Sequence, residues 1–144
     1  MTGFPEKRIT DFIRKHHIFT LATSAENKPY VCTCFYVYIA EINLFVFTSD
    51  HGTRHVDEML TQNNVAGAIA LETNIIGKIQ GIQFTGISIE LSDELYHKAH
   101  MAYLKRFPVA GFKKLVLWGI EPKFIKMTHN SLGFGTKLIW THDS

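Results

Sequence analysis

The chain has 144 residues, of which 46% are hydrophobic, and it carries a formal net charge of +2 with a pI near 8.5. This length and composition predict one globular domain spanning residues 1–144, and the scattered lysines and arginines argue against nucleic-acid binding. No secretory signal or membrane-length apolar run is found, so we expect a cytoplasmic protein that does not bind membranes.

Helical and strand-like segments follow one another in a pattern typical of a small β-rich domain. Helical spacing of apolar residues is found in residues 5–15, in a segment that begins at Thr53 and carries Val56, Met59 and Leu60, and in residues 92–107. Short apolar segments predict strands over residues 18–23, 30–39, 44–48, 65–71, 78–89, 116–120 and 124–128, the last two joined by a turn at 121–123. We therefore predict a mainly β fold, a partly open antiparallel barrel of about seven or eight strands with flanking helices.

The second predicted strand has apolar or aromatic side chains on both faces. One face carries Tyr30, Cys32, Cys34, Tyr36 and Tyr38, and the other carries Val31, Thr33, Phe35, Val37 and Ile39. Because both faces need cover, we expect a barrel interior on one side and a partner subunit on the other. This strand predicts a homodimer whose interface is built largely from the second and fifth strands.

The two cysteines, Cys32 and Cys34, are two positions apart and therefore share one face of this strand. Adjacent same-face positions do not suit disulfide geometry, and an isolated C-x-C pair is a poor metal site. His97 and His100 lie three apart in a predicted helix but lack a third ligand nearby in the sequence. We expect reduced, packed cysteines and no metal site.

A strand end, a loop and a helix start meet in the first half of the chain. Thr48 and Ser49 end the third strand, and Thr53 and Arg54 begin the next helix. Hydroxyls, a guanidinium and the free N–H groups of a helix start bind anions, so this loop is a candidate phosphate site. The alternative is that Thr53 simply caps the helix and Arg54 is solvated. No lysine follows Gly52, and Gly52 stands where an H-E-x-x-H motif has glutamate, so a nucleotide-binding P-loop and a zinc-protease helix are excluded.

The fifth predicted strand contains Gln83 between Gly81 and Gly86. Glycines within a strand indicate a bulge, a bend or the close approach of another group. Gln83 lies in a mostly apolar row, and a buried amide needs hydrogen-bond partners. A flat heteroaromatic ring with amide-like edges is one such partner, and a neighbouring backbone is the other.

Several short motifs, taken in order, resemble a known family. Phe47-Thr48 is followed five residues later by Thr53-Arg54, then by the strand holding Gln83 and a late Trp118-Gly119-Ile120-Glu121-Pro122. This order resembles the pyridoxamine-phosphate-oxidase-like FMN-binding split barrels, and it covers nearly the whole chain. The chain is similar to the small YhbP-type branch through Thr53-Arg54-His55, Gly81-Ile82-Gln83-Phe84, Arg106-Phe107-Pro108-Val109-Ala110, Leu132-Gly133-Phe134-Gly135 and Ile139-Trp140.

The resemblance implies a homodimeric antiparallel split barrel of roughly six to eight strands, with FMN at the subunit interface. It implies that the FMN phosphate is held by Thr48, Ser49, Thr53 and Arg54. It further implies that the ring edge follows the backbone of Cys34, Phe35 and Tyr36, and that Gln83 bonds the pyrimidine side. The implied activity is that of an FMN-dependent oxidoreductase with a small-molecule redox substrate, because the redox chemistry belongs to the cofactor.

The chain also departs from this family. Oxidases of this type place an arginine shortly before a C-terminal His-Asp, whereas residues 138–141 supply none before His142-Asp143, so oxidation of pyridoxamine phosphate is not expected. The alternative to an enzyme is a non-catalytic module on the same barrel that binds flavin, or haem through His55 or His129. A dimer with an empty cleft is a third possibility. No residue is an evident general base or nucleophile, so neither a catalytic residue nor a substrate is predicted.

Overall fold

The computed structural model describes residues 3–142; residues 1, 2, 143 and 144, including Asp143 of the C-terminal His-Asp pair, lie outside the described residues. The helices and the first five strands follow the predicted order, with boundaries that differ by a few residues, whereas the sixth strand spans the last two predicted segments and the seventh was not predicted. They are α1 (Lys7–Lys15), β1 (Ile18–Ala25), β2 (Lys28–Ile39), β3 (Leu44–Thr48), α2 (Arg54–Thr61), β4 (Asn64–Ala70), β5 (Gln80–Glu90), α3 (Asp93–Arg106), β6 (Leu117–His129) and β7 (Lys137–Thr141).

The strands form one antiparallel sheet in the order β3-β2-β1-β4-β5-β6-β7. A further pairing between β3 and β6 closes the strands between them into a barrel, and β7 extends the sheet beyond β6. The predicted mainly β, antiparallel split-barrel fold is confirmed. Among residues 3–142, no helix is long and apolar enough to cross a membrane.

Aromatic side chains fill the barrel interior. Phe45 stacks on Phe84 with ring centroids 4.5 Å apart, and Phe19 stacks on Tyr36 at 5.0 Å. Helix α1 covers one end of the barrel, because its buried residues join this core and the Tyr36 hydroxyl donates to the Ile13 carbonyl at 2.6 Å. Helix α1 is thus one of the flanking helices that the sequence predicts.

Helix α3 covers only part of the outer face of β2. Ala99 and Tyr103 of α3 are buried in the same cluster as Ile39, near the end of β2. Nearer the start of β2, Val31 and Phe35 point outward and are 58% and 56% exposed. The chain thus supplies about half of the outer cover that this strand needs.

The prediction of two late strands joined by a turn at residues 121–123 is wrong, because β6 is one continuous strand. Its pairing with β5 shifts register between Thr85 and Gly86, and the extra residue on β6 is Lys123. Such a bulge accommodates the adjacent Pro122, which has no N–H to donate to a ladder. Before the bulge β6 pairs with β3, and after it β6 pairs with β7. A bulge was one of the three readings that Gly86 left open, and the extra residue lies on the neighbouring strand.

Helix α2 buries a different set of residues from the one its apolar spacing predicts. Met59 is buried as expected, whereas Leu60 is 60% exposed and Glu58 is buried. The Glu58 carboxylate is stable there because it accepts hydrogen bonds from Thr23 at 2.7 Å and from Arg54 at 3.0 Å.

Candidate functional site

Strand β2 has a pairing partner along only part of one edge. Residues 36–39 pair with β3, whereas residues 28–35 pair with β1 alone. Among the described residues, no strand covers the second edge of residues 28–35, which we call the open edge of β2. This gap is the split in the barrel, and it leaves backbone donors and acceptors available to a ligand or another chain.

The backbone groups of Thr33 and Phe35 point towards this open edge. Tyr36 donates its backbone N–H to the His17 carbonyl at 2.9 Å, in the direction of β1. Because backbone groups alternate between the two edges of an antiparallel strand, Phe35 and Thr33 direct theirs the other way. Of the residues predicted along a flavin ring edge, Phe35 therefore has its backbone groups at the open edge, whereas those of Cys34 and Tyr36 face β1.

The first turn of α2 lies against the open part of β2. The Arg54 guanidinium lies over the Tyr30 ring, with Cζ 4.1 Å from the ring centroid. Thr53 is the N-cap residue, but its hydroxyl donates to the Asp50 carbonyl at 3.0 Å and makes no capping hydrogen bond. The first-turn N–H groups therefore lack an intrahelical or side-chain cap partner, and the helix dipole adds partial positive charge there.

Arg54 also contacts its own helix. Its Nε donates to Glu58 Oε2 at 3.0 Å, while Glu58 Oε1 accepts from the Thr23 hydroxyl at 2.7 Å. The hydrogen bond from Thr23, followed by that from Arg54, holds the pKa of Glu58 below its ordinary value, so the carboxylate is charged at neutral pH. Of the Arg54 side-chain nitrogens, only Nε donates to a protein acceptor within residues 3–142, and the side chain is 55% exposed. Both Nη groups are therefore available to an anion.

The other residues of the predicted phosphate loop have partners within the chain. The Thr48 hydroxyl donates to the Val116 carbonyl at 2.8 Å. The Ser49 hydroxyl is hydrogen-bonded to His55 Nε2 at 2.7 Å, and the Ser49 carbonyl accepts from the Trp118 indole N–H at 3.1 Å. The structure thus brings Ser49 to the first turn of α2, while the Thr48 hydroxyl is directed towards the segment that precedes β6.

His55 lies beside the two cysteines, a proximity that sequence spacing does not reveal. The Sγ atoms of Cys32 and Cys34 are 3.8 Å apart, and both residues are free thiols. A ring nitrogen of His55 and the two sulfur atoms all lie within 4.8 Å of one another. His55 is far from the cysteines in the sequence, and only the packing of α2 on β2 brings the three residues together. The shared face predicted for the two cysteines is the one signal that points towards this cluster.

Gln83 lies on the outer face of the sheet, away from the open edge of β2. It is exposed rather than buried as expected, and it lines a cavity of about 460 Å³. The cavity floor consists of small residues, namely Ala22, Ala66, Gly67 and Ala68. Across the sheet, Gln83 pairs with Ala68, Ala68 with Thr20, and Thr20 with Thr33. Successive strand spacings therefore separate Gln83 from Thr33 by about 14 Å, with β1 and β4 between them.

Sequence relatives establish the family of this chain. No protein-family model matches it. It is 37% identical over 137 residues to a UPF0306 protein of Serratia proteamaculans, covering 94% of each chain. It is also 39% identical over 134 residues to a UPF0306 protein of Yersinia pseudotuberculosis, covering 92% of this chain and 90% of the relative. The chain belongs to the UPF0306 family.

Solved structures with low sequence identity share the fold of this UPF0306 chain. A candidate pyridoxamine 5'-phosphate oxidase from Listeria innocua has a TM-score of 0.69 at 13% identity, covering 83% of this chain and 94% of that one. An FAD-binding protein from Mycobacterium smegmatis has a TM-score of 0.68 at 16% identity, with 89% and 90% coverage. HutZ, a haem storage protein of Vibrio cholerae, has a TM-score of 0.68 at 17% identity, with 84% and 92% coverage. The fold is thus that of the pyridoxamine-phosphate-oxidase-like split barrels.

Proposed function

We propose that this UPF0306 protein binds FMN between two copies of the chain and acts as an FMN-dependent oxidoreductase. The observation that carries the proposal is the contact between the first turn of α2 and the open edge of β2. An uncapped helix start with an available guanidinium suits a phosphate. Unpaired backbone donors and acceptors suit the amide-like edge of a flavin ring. The two features lie side by side, as the two ends of a single ligand require.

The loop favours FMN over riboflavin and FAD. A phosphate monoester carries a charge of about −1.5 to −2 at neutral pH, and riboflavin has no phosphate to place on the helix start. The second phosphate and the adenosine of FAD would have to pass Asp50, whose carboxylate already faces Lys113 at 3.8 Å, and the neighbouring His51. Thr48, Ser49, Thr53 and Arg54 remain the proposed phosphate residues.

A second copy of the chain completes the proposed site. A flavin ring bonded to the open edge of β2 would lie on the side of β2 that faces away from β1. Gln83 of the same chain lies in the opposite direction, about 14 Å from Thr33 of β2 and beyond β1 and β4. We therefore assign the pyrimidine contact to Gln83 of the partner subunit. The exposed Val31 and Phe35 beside the open edge support a homodimer, because they offer apolar surface that α3 leaves uncovered.

Bound FMN would supply hydride or electron transfer at its ring. The residues of this chain bind and orient it: Arg54 and the first-turn N–H groups hold the phosphate, and the backbone of Cys34, Phe35 and Tyr36 flanks the ring, with Phe35 at the open edge. The proposed substrate is a small redox molecule. Pyridoxamine phosphate is not proposed, and we assign the chain to the YhbP-type branch that its motifs resemble.

Haem binding is the second candidate, since HutZ shares the fold. A haem site needs an imidazole that reaches iron. The His129 Nδ1 atom is buried with no hydrogen-bond partner among the described residues, and the His55 Nε2 atom is hydrogen-bonded to Ser49. One free ring nitrogen is enough to bind iron, so the preference for FMN rests on the uncapped first turn of α2 and the available Arg54 guanidinium, which suit a phosphate.

Ligand titration of the full chain tests the proposal. Flavin binding is followed by quenching of flavin fluorescence with FMN, FAD and riboflavin, and haem binding by the shift of its Soret absorbance. We expect FMN to bind most tightly and to saturate at one flavin per chain. Tighter binding of haem would favour the non-catalytic alternative, and failure of every flavin to bind would contradict the proposal.

A further inference from the structure

Three soft ligand atoms converge beneath the first turn of α2. Cys32 and Cys34 occupy alternate positions of β2, so their side chains share its inner face, and their Sγ atoms are 3.8 Å apart. The His55 imidazole reaches the same point from α2, with all three ligand atoms within 4.8 Å of one another. Within residues 3–142, this is the only group of three or more histidine, cysteine or acidic side chains with such spacing.

The spacing of the thiols matches the edge of a metal tetrahedron. With metal–sulfur bonds of about 2.3 Å and a tetrahedral angle, two thiolates bound to one Zn²⁺ lie about 3.8 Å apart. The observed separation of 3.8 Å is the same. A sulfur–nitrogen edge of that tetrahedron is about 3.6 Å, so a shift of the His55 ring by up to about 1 Å completes three protein ligands.

The three side chains differ in their protonation. Burial lowers the pKa of His55, although the charge of Glu58 opposes this, so the imidazole is neutral at neutral pH. The hydrogen bond with Cys34 lowers the pKa of the Cys32 thiol, with burial acting against it, while the same hydrogen bond and burial raise the pKa of Cys34.

Partial burial leaves room for one further ligand. Cys34 is buried, whereas Cys32 and His55 are half-buried, so solvent reaches one side of the cluster. The Ser49 hydroxyl holds the His55 ring at 2.7 Å, and the Trp118 indole fixes the Ser49 carbonyl at 3.1 Å. Outer contacts of this kind orient the histidine ligands of metal sites.

We propose that Cys32, Cys34 and His55 form a binding site for a soft, thiophilic metal ion, Zn²⁺ or Cu(I), with a fourth position open to solvent. Thiolate and imidazole ligands select these ions over hard cations such as Mg²⁺ and Ca²⁺. Two thiols that served packing alone would need neither an imidazole within 4.8 Å nor a seryl group bonded to it. The proposal replaces the expectation of no metal site, and it does not depend on flavin binding.

Titration of the full chain with its thiols reduced tests the proposal. Co²⁺ serves as a spectroscopic substitute for Zn²⁺, because a thiolate-bound cobalt ion shows charge-transfer absorption, and Zn²⁺ then displaces it. Cu(I) is titrated in competition with a chromogenic Cu(I) chelator. We expect a single ion per chain in at least one arm, and the arm with the tighter binding identifies the metal. Absence of thiolate–cobalt absorption together with complete loss of Cu(I) to the chelator would overturn the proposal.

Matched variants test the ligand set. Loss of an outer contact at a metal site typically costs about 10- to 100-fold in affinity, so Cys32→Ser and His55→Gln are each expected to lose at least about 100-fold. His51→Gln is the control, because His51 is exposed and bonded to Glu90 at 3.1 Å, and its metal affinity should equal that of the wild type. Circular dichroism checks that each variant is folded. Wild-type affinity in His55→Gln would show that the imidazole is not a ligand and that the proposed site is wrong. The flavin titration is a separate readout, so either proposal can fail alone.

Discussion

Replacement of Arg54 by alanine is expected to weaken FMN binding selectively. The Nε of Arg54 is held by Glu58 at 3.0 Å, so only the two Nη groups are free to bind the phosphate. Hydrogen bonds to charged groups contribute about 1.5–3 kcal/mol, and the 55% exposure of the side chain puts this one towards the lower end. A loss on the order of 2 kcal/mol corresponds to roughly 30-fold in Kd. Arg54→Lys should recover part of this loss, because an ammonium is a point charge without the guanidinium fork.

Fluorescence-quenching titrations with FMN and riboflavin measure this effect. Arg8→Ala is the control for the loss of an exposed guanidinium away from the loop: Arg8 of α1 is 53% exposed and is bonded to Glu6, which precedes the helix. Riboflavin affinity should be equal in the wild type, the Arg54 variants and the control. If riboflavin binds the wild type as tightly as FMN, or if Arg54→Ala leaves FMN affinity unchanged, the first turn of α2 is not the phosphate site.

Three further predictions concern stability and assembly. In Gly67→Ala the new Cβ would overlap the buried ring of Phe84, so we expect the free energy of unfolding in urea to fall by about 1–3 kcal/mol. Gly77→Ala, with open space around the new Cβ, should be close to neutral. The pKa of Glu58 is lower in the folded chain than its ordinary value of 4.5, so its stabilising effect is full above that value and is lost as the pH falls through the folded pKa. The stability difference between wild type and Glu58→Gln should therefore be largest at neutral pH and shrink in acid, and a difference independent of pH would contradict this origin. Phe35→Asp should convert the proposed dimer to a monomer in light scattering, whereas Ile139→Asp, at a similarly exposed apolar position on β7, should not. A monomeric wild type would remove the proposed shared site.

Much of the fold was predictable because each helix and strand carries a local signal. The third strand was predicted with its observed bounds, Leu44–Thr48, from an uninterrupted apolar run. Helix α3 lies between Ser92 and Phe107 as predicted: Ser92 occupies the N-cap position, although its side chain makes no capping hydrogen bond, and Pro108 follows the helix end. The continuous β6 was missed because Glu121-Pro122-Lys123 has the composition of a turn. Only the pairing of β6 with β3, β5 and β7 shows that these residues lie in a bulged strand.

The candidate site was predictable as a set of residues and not as a set of contacts. Sequence spacing brought Thr53 and Arg54 to a helix start, where the structure places them. It did not indicate that Glu58 would bind Arg54. The i,i+4 spacing does not reveal that the Glu58 side chain is buried and accepts a hydrogen bond from Thr23. Gln83 was expected to be buried because its row is mostly apolar, yet that row faces outward. Which face of a strand is inside depends on tertiary packing that alternation alone cannot specify when both faces are apolar.

The first turn of α2 presents two different chemistries because successive helical residues project about 100° apart. Arg54 projects over Tyr30, and His55 projects towards the thiols and Ser49. Zn²⁺ adds two positive charges and the two thiols lose two protons when they bind it, so the local net charge is unchanged. Any coupling between the metal site and the phosphate therefore depends on the Ser49 hydroxyl. If His55 Nε2 binds the ion, that hydroxyl is released to the phosphate, and a hydrogen bond to this charged group, of about 1.5 kcal/mol, should tighten FMN roughly 10-fold. By linkage FMN must then tighten Zn²⁺ by the same factor. Equal FMN affinity with and without Zn²⁺ would show instead that the ion leaves the bond between Ser49 and His55 intact.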